Sequence, residues 1–315
     1  MGRVLNRTSR TAQHVTLFRA IETARRRDRV IDDPYAVTFL TGRYGLLARA
    51  ARVPAARRGL ERYLDRRFPG GPRASAVVRT RLIDGLVEDS LAAGAGQVVL
   101  LGAGYDSRAY RLAAARSVRV FEVDHPATQV TKRGLVEARV PVERRAHVRF
   151  VPVDLLRDDL AAALLAAGFE GAGGPAAGDR GRGEQGAGDR GFGGRAVVVW
   201  EGVTNYLTAE AVDTTLRRLA GVLVSGSHVV FTYVDRAALD GTGDFQGVWQ
   251  DAVRRHGEPW TFGLDPAVLP AYLDERGMDL TLDLSTRDAA DRYLVPLGRA
   301  EPAAPFYRIA RAEVR

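Results

Sequence analysis

The sequence predicts an α/β fold, with a mostly parallel central sheet flanked by helices. Short apolar runs recur along the chain: "QVVLL" at 97–101, "VRVFEV" at 118–123, "VVVW" at 197–200 and "HVVFTYV" at 228–234. Continuous apolar runs of this length suit strands buried on both faces. Helix-periodic segments separate them, and strand–helix alternation implies parallel strands with crossovers on both sides. The first run ends in a Gly-x-Gly turn, "LGAGYDSRAYRL" at 101–112, the kind of corner at which an α/β sheet receives a nucleotide.

The elements follow in order. Residues 1–72 are arginine-rich and helical by pattern, and form the first unit. Val15, Phe18, Ile21 and Ala24 fall at helical spacing, and Asp33-Pro34 and "FPGGPR" at 68–73 are breaks. Residues 73–315 form the sheet-bearing unit. It opens with a helix over 74–93, striped by Val78, Leu82 and Leu86 with Ile83 and Val87 beside them, and ended by Gly94 and Gly96. Arg79 lies on its apolar side, whereas Arg81 is expected to point towards Asp84 and Glu88. Helices are expected over "DSRAYRLAAAR" at 106–116, over 127–138, over 208–223 behind a Thr208 cap, and near 266–276. "HVRFVPVDLL" at 147–156 is a third strand, and strands are expected near 278–284 and 305–314. Residues 168–195 are so rich in glycine that ordering them recovers little, and they read as a flexible surface insertion.

Composition removes several chemistries. The 315 residues include no cysteine, which excludes disulfide frameworks, thiolate zinc sites and thiol nucleophiles. His14, His125, His147, His228 and His256 show no ligand spacing, so no metal is expected. The net charge is +8, carried by arginine with a single lysine, Lys132. Because the arginines are spread along the chain, this reads as a solvated basic surface rather than a nucleic-acid footprint. No run approaches the ~20 apolar residues of a membrane span, and the N-terminus lacks an apolar signal region, so a cytoplasmic protein is expected.

The glycine corner narrows the ligand. Gly102 and Gly104 match the first two positions of the dinucleotide fingerprint G-x-G-x-x-G, but Ser107 stands at the third. Asp106 sits where a pyrophosphate would rest, repels it, and serves as a helix cap instead. No G-x-x-x-x-G-K-[ST] is present. Nicotinamide and flavin dinucleotides lose ground, and S-adenosyl-L-methionine, which carries adenosine without phosphate, gains it. Asp124, about 20 residues on, is placed to accept from ribose hydroxyls, with Glu122 in reserve. Asp154 is placed for an adenine amino group and Leu155 for a backbone contact to a ring nitrogen. Arg79, a charge on a core-facing stripe, needs a partner; a cofactor carboxylate or an internal ion pair would serve.

With these pieces in place, the sequence resembles the leucine carboxyl methyltransferase family of Rossmann-like S-adenosylmethionine-dependent methyltransferases. The resemblance rests on "DDPYA" (32–36), "RTRLID" (79–84), "VVLLGAGYDSRAYRL" (98–112), "VFEVDHP" (120–126), "VDL" (153–155), "WEGVTNYL" (200–207) and "HGEPWTFGL" (256–264), which span most of the chain. It implies that Arg79 holds the cofactor carboxylate, Gly102 lines the methionine arm, where close backbone approach at Gly104 also suits it, Asp124 takes the ribose, and Asp154 and Leu155 hold the adenine. It implies that Glu201 lies beside the methyl donor and takes the cofactor ammonium. It also implies that the N-terminal helices form a lid. One branch of the family uses a lid lysine, where this chain offers only arginines, such as Arg19, Arg25 and Arg26, and that contact stays unassigned.

The expected reaction is O-methylation of a small acid, such as a secondary-metabolite intermediate, to a methyl ester, with Glu201 and Tyr206 as the catalytic candidates. A carboxylate acceptor is already ionised at neutral pH and needs no general base, and no histidine is placed to supply one. Trp249 and Trp260 are candidate pocket walls. The alternatives are a hydroxyl O-methyltransferase, an RNA-modifying methyltransferase and a non-catalytic S-adenosylmethionine-binding module.

Overall fold

The computed structural model describes residues 10–172, 194–242 and 260–315. Seven strands build the sheet: β1 (Gln97–Leu101), β2 (Arg119–Asp124), β3 (Val148–Pro152), β4 (Ala196–Trp200), β5 (His228–Val234), β6 (Met278–Ser285) and β7 (Tyr307–Val314). Their spatial order is β3-β2-β1-β4-β5-β7-β6. The first five are parallel, and β7 runs antiparallel between β5 and β6. The order reverses between β1 and β4, so the crevice beyond their carboxyl ends is the topological switch point.

Helices cover both faces. They are α1 (Arg10–Thr23), α2 (Ala36–Phe39), α3 (Gly42–Ala50), α4 (Pro54–Arg67), α5 (Pro72–Ala92), α6 (Arg108–Arg111), α7 (Pro126–Arg139), α8 (Leu160–Ala166), α9 (Ala209–Val222), α10 (Arg236–Asp240), α11 (Leu269–Asp274) and α12 (Thr286–Tyr293). On one face, Val78, Leu82, Ile83, Leu86 and Val87 of α5 pack with Val98 and Leu100 of β1 and Val197 and Val199 of β4. On the other, Val212, Leu216 and Leu219 of α9 pack with Val99, Val198 and Phe231. Both strand faces are therefore apolar, which is why β1 and β4 read as unbroken runs rather than alternations. Thr208 caps α9 by accepting from the Ala211 N–H, as its sequence position predicts.

Three local expectations are corrected. The helix expected over 106–116 is a single turn, α6, followed by a 3-10 turn at Ala114–Ser117. The helix beginning in the N-terminal unit stops at Thr23, ten residues before Asp33-Pro34, because the chain leaves it through the arginine run and Asp28, held at φ 57. The glycine-rich stretch does not begin as a surface loop. Phe169 is buried against Phe121 with ring centroids 5.5 Å apart, and the Ala172 N–H donates to the Val222 carbonyl at 2.8 Å. Residues 173–193 lie outside the described residues.

The N-terminal helices have a core of their own, with Leu17, Phe18 and Ile21 of α1 packed among Leu40, Tyr44, Ala48 and Leu64. Ion pairs tie them to the sheet-bearing unit: the buried pair of Arg299 Nη1 with Glu22 Oε1 at 2.6 Å, and buried Arg73 with half-exposed Asp65, Nη2 to Oδ2, at 2.8 Å. Among the described residues, no helix is long and apolar enough to cross a membrane.

Candidate active site

The glycine corner closes the carboxyl end of β1. Gly102 and Gly104 hold φ of +67 and +40, conformations that favour glycine. A Cβ on Gly102 would come within 2.4 Å of Val203 Cγ2, so glycine is what lets the corner pass beneath the turn after β4. A Cβ on Gly104 would meet only the Gly102 carbonyl, 3.8 Å away, so the corner opens into space there. Asp124, at the end of β2, faces this corner. Its Oδ2 accepts from the Gly104 N–H at 2.6 Å and its Oδ1 from the His125 N–H at 2.7 Å. Burial pushes the Asp124 carboxyl up against the pull of those two donors.

Beside the corner lies a cluster of paired charges. Arg79 Nε donates to Glu201 Oε1 at 2.7 Å, and Arg108 Nη1 donates to Glu201 Oε2 at 2.6 Å. Arg108 also donates through Nε to Asp84 at 2.8 Å and through Nη1 to Asp106 at 2.6 Å, and Arg111 grips both oxygens of Asp84 at 2.6 and 2.7 Å. The Tyr307 ring lies 5.0 Å from the Arg79 guanidinium. Burial acts to raise the Glu201 carboxyl, but Arg108 and Arg79 outweigh it and hold it at about 2. Asp106 is likewise held well below the usual carboxylate range: burial opposes, and Arg108, Lys132 and Arg19 prevail. Within the cluster, Arg108 Nη2 is buried and has no hydrogen-bond partner.

The structure therefore brings Arg79, Gly102, Gly104, Asp124 and Glu201 to one crevice at the switch point. Asp154 and Leu155 lie at the next strand end, joined to it by the Val153 N–H donating to the Asp124 carbonyl at 2.9 Å. Asp154 is engaged locally, accepting from the Leu156 N–H at 3.1 Å with Arg157 3.7 Å away. Tyr206 is half-buried in the 3-10 turn Thr204–Tyr206 that follows Glu201.

Other expectations are corrected. Glu122 is no reserve ribose ligand, because it is fully buried and its Oε2 lies 2.9 Å from Lys132 Nζ. Asp106 is not the cap of α6, whose N-cap is Ser107; it accepts from the Arg108 N–H at 2.8 Å in the turn before the helix, and it is a charge-compensated carboxylate, paired with the Arg108 guanidinium, rather than a bare anion. Arg81 lies over the Tyr293 ring, since Asp84 is taken by Arg108 and Arg111. Trp260 packs against Phe306 and Tyr307. Trp249 and His256 lie outside the described residues. A cleft of about 510 Å³ beside α9 and α11, lined by residues such as Glu210, Arg236, Leu264 and Tyr272, includes none of the corner residues.

Sequence reading missed the pairing of Arg108, Asp84 and Asp33, all buried, and of Arg111, whose side chain is 4% exposed. The available signal was charge at helix-period positions that otherwise face the core. It also missed Asn205, which is buried on the turn after β4 and whose Oδ1 has no hydrogen-bond partner. Among the described residues, no group of three or more His, Cys, Asp or Glu could hold a metal ion.

Comparison with known proteins places the chain in a family. The family model described as leucine carboxyl methyltransferase matches residues 12–177. A Mycobacterium avium protein assigned by name to the S-adenosyl-L-methionine-dependent methyltransferases is 32% identical over 94% of this chain and 90% of its own. A Frankia alni protein so named is 32% identical over 81% of this chain and 80% of its own, and one from Streptomyces coelicolor 34% over 73% and 70%. The fold is shared with a crystal structure from Thermobifida fusca titled as a methyltransferase, at a TM-score of 0.54 and 18% identity, over 82% of this chain and 88% of that one. With its glycine corner at the switch point of the 3-2-1-4-5-7-6 sheet, the chain belongs to the leucine carboxyl methyltransferase family of S-adenosyl-L-methionine-dependent methyltransferases.

Proposed function

We propose that the protein is an O-methyltransferase that converts the carboxylate of a small acid to its methyl ester, with S-adenosyl-L-methionine held at the glycine corner. The observation that carries the reading is the Arg79–Glu201 pair, 2.7 Å apart and backed by Arg108. An amino acid's zwitterion presents one carboxylate and one ammonium, the charges that Arg79 and Glu201 present in reverse. On this reading Arg79 takes the carboxylate through its guanidinium fork and Glu201 takes the ammonium. The open face at Gly104 admits the methionine arm, Asp124 accepts from the ribose, and Asp154 with the Leu155 backbone meets the adenine. Residues 1–72 serve as the lid.

The cofactor supplies a methyl group on a sulfonium, a centre that needs no activation beyond in-line alignment with the acceptor. Alignment and exclusion of water can contribute ~7–11 kcal/mol to lowering the barrier. A carboxyl held at about 2 is a poor proton acceptor at neutral pH, so Glu201 does not suit the role of general base. Among the described histidines, His147 bonds the Ala109 carbonyl, His228 bonds Ser90 at the amino end of β5, and His14 packs on Phe68 and Tyr44. His125 caps α7. An acceptor that arrives without its proton fits this surrounding. Tyr206, on the turn after Glu201, is assigned to orienting the acceptor.

The test is turnover with labelled cofactor against a panel of small carboxylic acids and matched phenols. Base-labile methyl esters support the reading. Base-stable ethers replace it with a hydroxyl O-methyltransferase, and cofactor binding without turnover of either class replaces it with a binding module.

A further inference from the structure

The motif "DDPYA" and the serine at the third fingerprint position have no role in the account above, and the structure joins them. Asp33, fully buried in the segment between α1 and α2, accepts from the Ser107 hydroxyl through Oδ2 at 2.7 Å. The same oxygen lies 3.4 Å from Arg19 Nε and 3.9 Å from Arg111 Nε. Arg19, on α1, also donates through Nη2 to the carbonyl of Tyr105, inside the corner, at 2.6 Å. Where a dinucleotide fold uses a third glycine to let helix and strand pack closely, this chain has a hydroxyl that reaches into the N-terminal helices.

The contacts continue into the site. Arg111 Nε donates to Ser107 Oγ at 3.1 Å, and Arg111 and Arg108 share Asp84 Oδ1 at 2.7 and 2.8 Å. Arg108 then reaches Glu201 at 2.6 Å. A continuous run of hydrogen bonds thus links Asp33 to Glu201 through Ser107, Arg111, Asp84 and Arg108. Each member is mostly buried, where the loss of one partner strands a charge. From below, the corner is fixed by the Ala103 N–H donating to the Val123 carbonyl at 3.0 Å and by Asp124 on Gly104. From above, Arg19 and Asp33 fix it.

We infer that Asp33 is a positioning residue for the cofactor site: through Ser107 it latches the N-terminal helices onto the glycine corner and sets how long a bound cofactor is held. The inference rests on the proposed cofactor reading. It gives the helices a fixed seat on the corner, made of buried charged contacts, and makes the Asp33–Ser107 bond the point at which a lid would part from the site. Asp33 touches no reacting atom on this account; it acts through Ser107 and the arginines.

The test measures release of S-adenosylhomocysteine by stopped flow, and the KM for S-adenosylmethionine, in the wild type, Asp33→Asn, Ser107→Ala and the double variant, with melting temperatures alongside. The expected result is a release rate raised about tenfold in each single variant. The KM should rise with it, and the double variant should be no worse than Asp33→Asn, because both act on the Asp33–Ser107 bond: the amide removes the acceptor's charge and the alanine removes the donor. A lower melting temperature with wild-type release and KM overturns the inference, since a merely structural contact lowers the folded fraction and leaves the folded molecules' kinetics alone. Effects that add in the double variant overturn the Asp33–Ser107 latch as well. If Asp33→Asn does not fold, Ser107→Ala, which leaves every charge in place, decides by the same readout. A wild type that binds neither S-adenosylmethionine nor S-adenosylhomocysteine fails the cofactor reading itself, and the inference falls with it. A wild type that binds, with variants that release alike, fails the inference alone.

Discussion

Arg79 and Glu201, 122 positions apart in sequence, meet with Nε and Oε1 at 2.7 Å across the gap between α5 and the end of β4. Arg108 takes the other oxygen of the same carboxylate. Glu201 is thus held by two cations, and the removal of either leaves it half-compensated in a mostly buried place. Arg79→Met is expected to weaken S-adenosylmethionine binding by roughly 10- to 100-fold, the scale of a lost charged hydrogen bond. Calorimetric titration checks this. Wild-type affinity in the variant would show that Arg79 serves Glu201 alone.

Glu201 also predicts a pH dependence. Its carboxyl lies at about 2 in the folded protein against an ordinary 4.5. A depressed carboxylate stabilises the fold fully above its unfolded value, and that stability drains away as pH falls from about 4.5 towards 2. Urea titrations of the wild type should therefore show a falling unfolding free energy across this window. Glu201→Gln should flatten the slope while costing about 3 kcal/mol at neutral pH, because Arg79 and Arg108 lose their shared partner. An equal slope in both proteins would place the acid sensitivity elsewhere.

Much of this was legible in the chain. β1, β2, β4 and β5 announced themselves as apolar runs, the α5 stripe fell where α5 packs, and Arg79, Gly102, Asp124 and Glu201 converge on one crevice because each ends or faces a strand beside the switch point. What could not be read was pairing among charges. Asp84 lies five positions from Arg79 on one helix, yet its partners Arg108 and Arg111 come from α6, a turn too short to show a period. Lys132 and Glu122 are likewise neighbours only in space, across β2 and α7. Periodicity reports which face a residue takes, and only the fold reports what it meets there.

The Lys132–Glu122 pair is buried on both sides at 2.9 Å, with the Phe39 and Tyr110 rings near the ammonium. Burial pushes the Glu122 carboxyl up, and Lys132 only partly opposes it. Lys132→Met should therefore cost about 3–5 kcal/mol, the scale of a buried charge left alone. Lys132→Met combined with Glu122→Gln should recover much of that loss. Chemical denaturation of the four proteins in the cycle measures the coupling. A double variant as unstable as Lys132→Met would refute the pairing account.

Asp124→Ala tests the ribose assignment poorly, because the carboxylate also satisfies the N–H groups of Gly104 and His125. Removing it strands two donors, so stability should fall by about 1–3 kcal/mol whatever the ligand does. Asp124→Asn is the sharper variant: its amide oxygen keeps one of these bonds and loses the charge that would hold both ribose hydroxyls. It should melt closer to the wild type than Asp124→Ala, yet bind S-adenosylmethionine about tenfold more weakly. Replacing the ligand by its 2′-deoxyribose analogue should then cost the wild type affinity and cost Asp124→Asn much less. Equal losses in the two proteins would move the ribose contact away from Asp124 and leave that carboxylate as the clasp of the glycine corner.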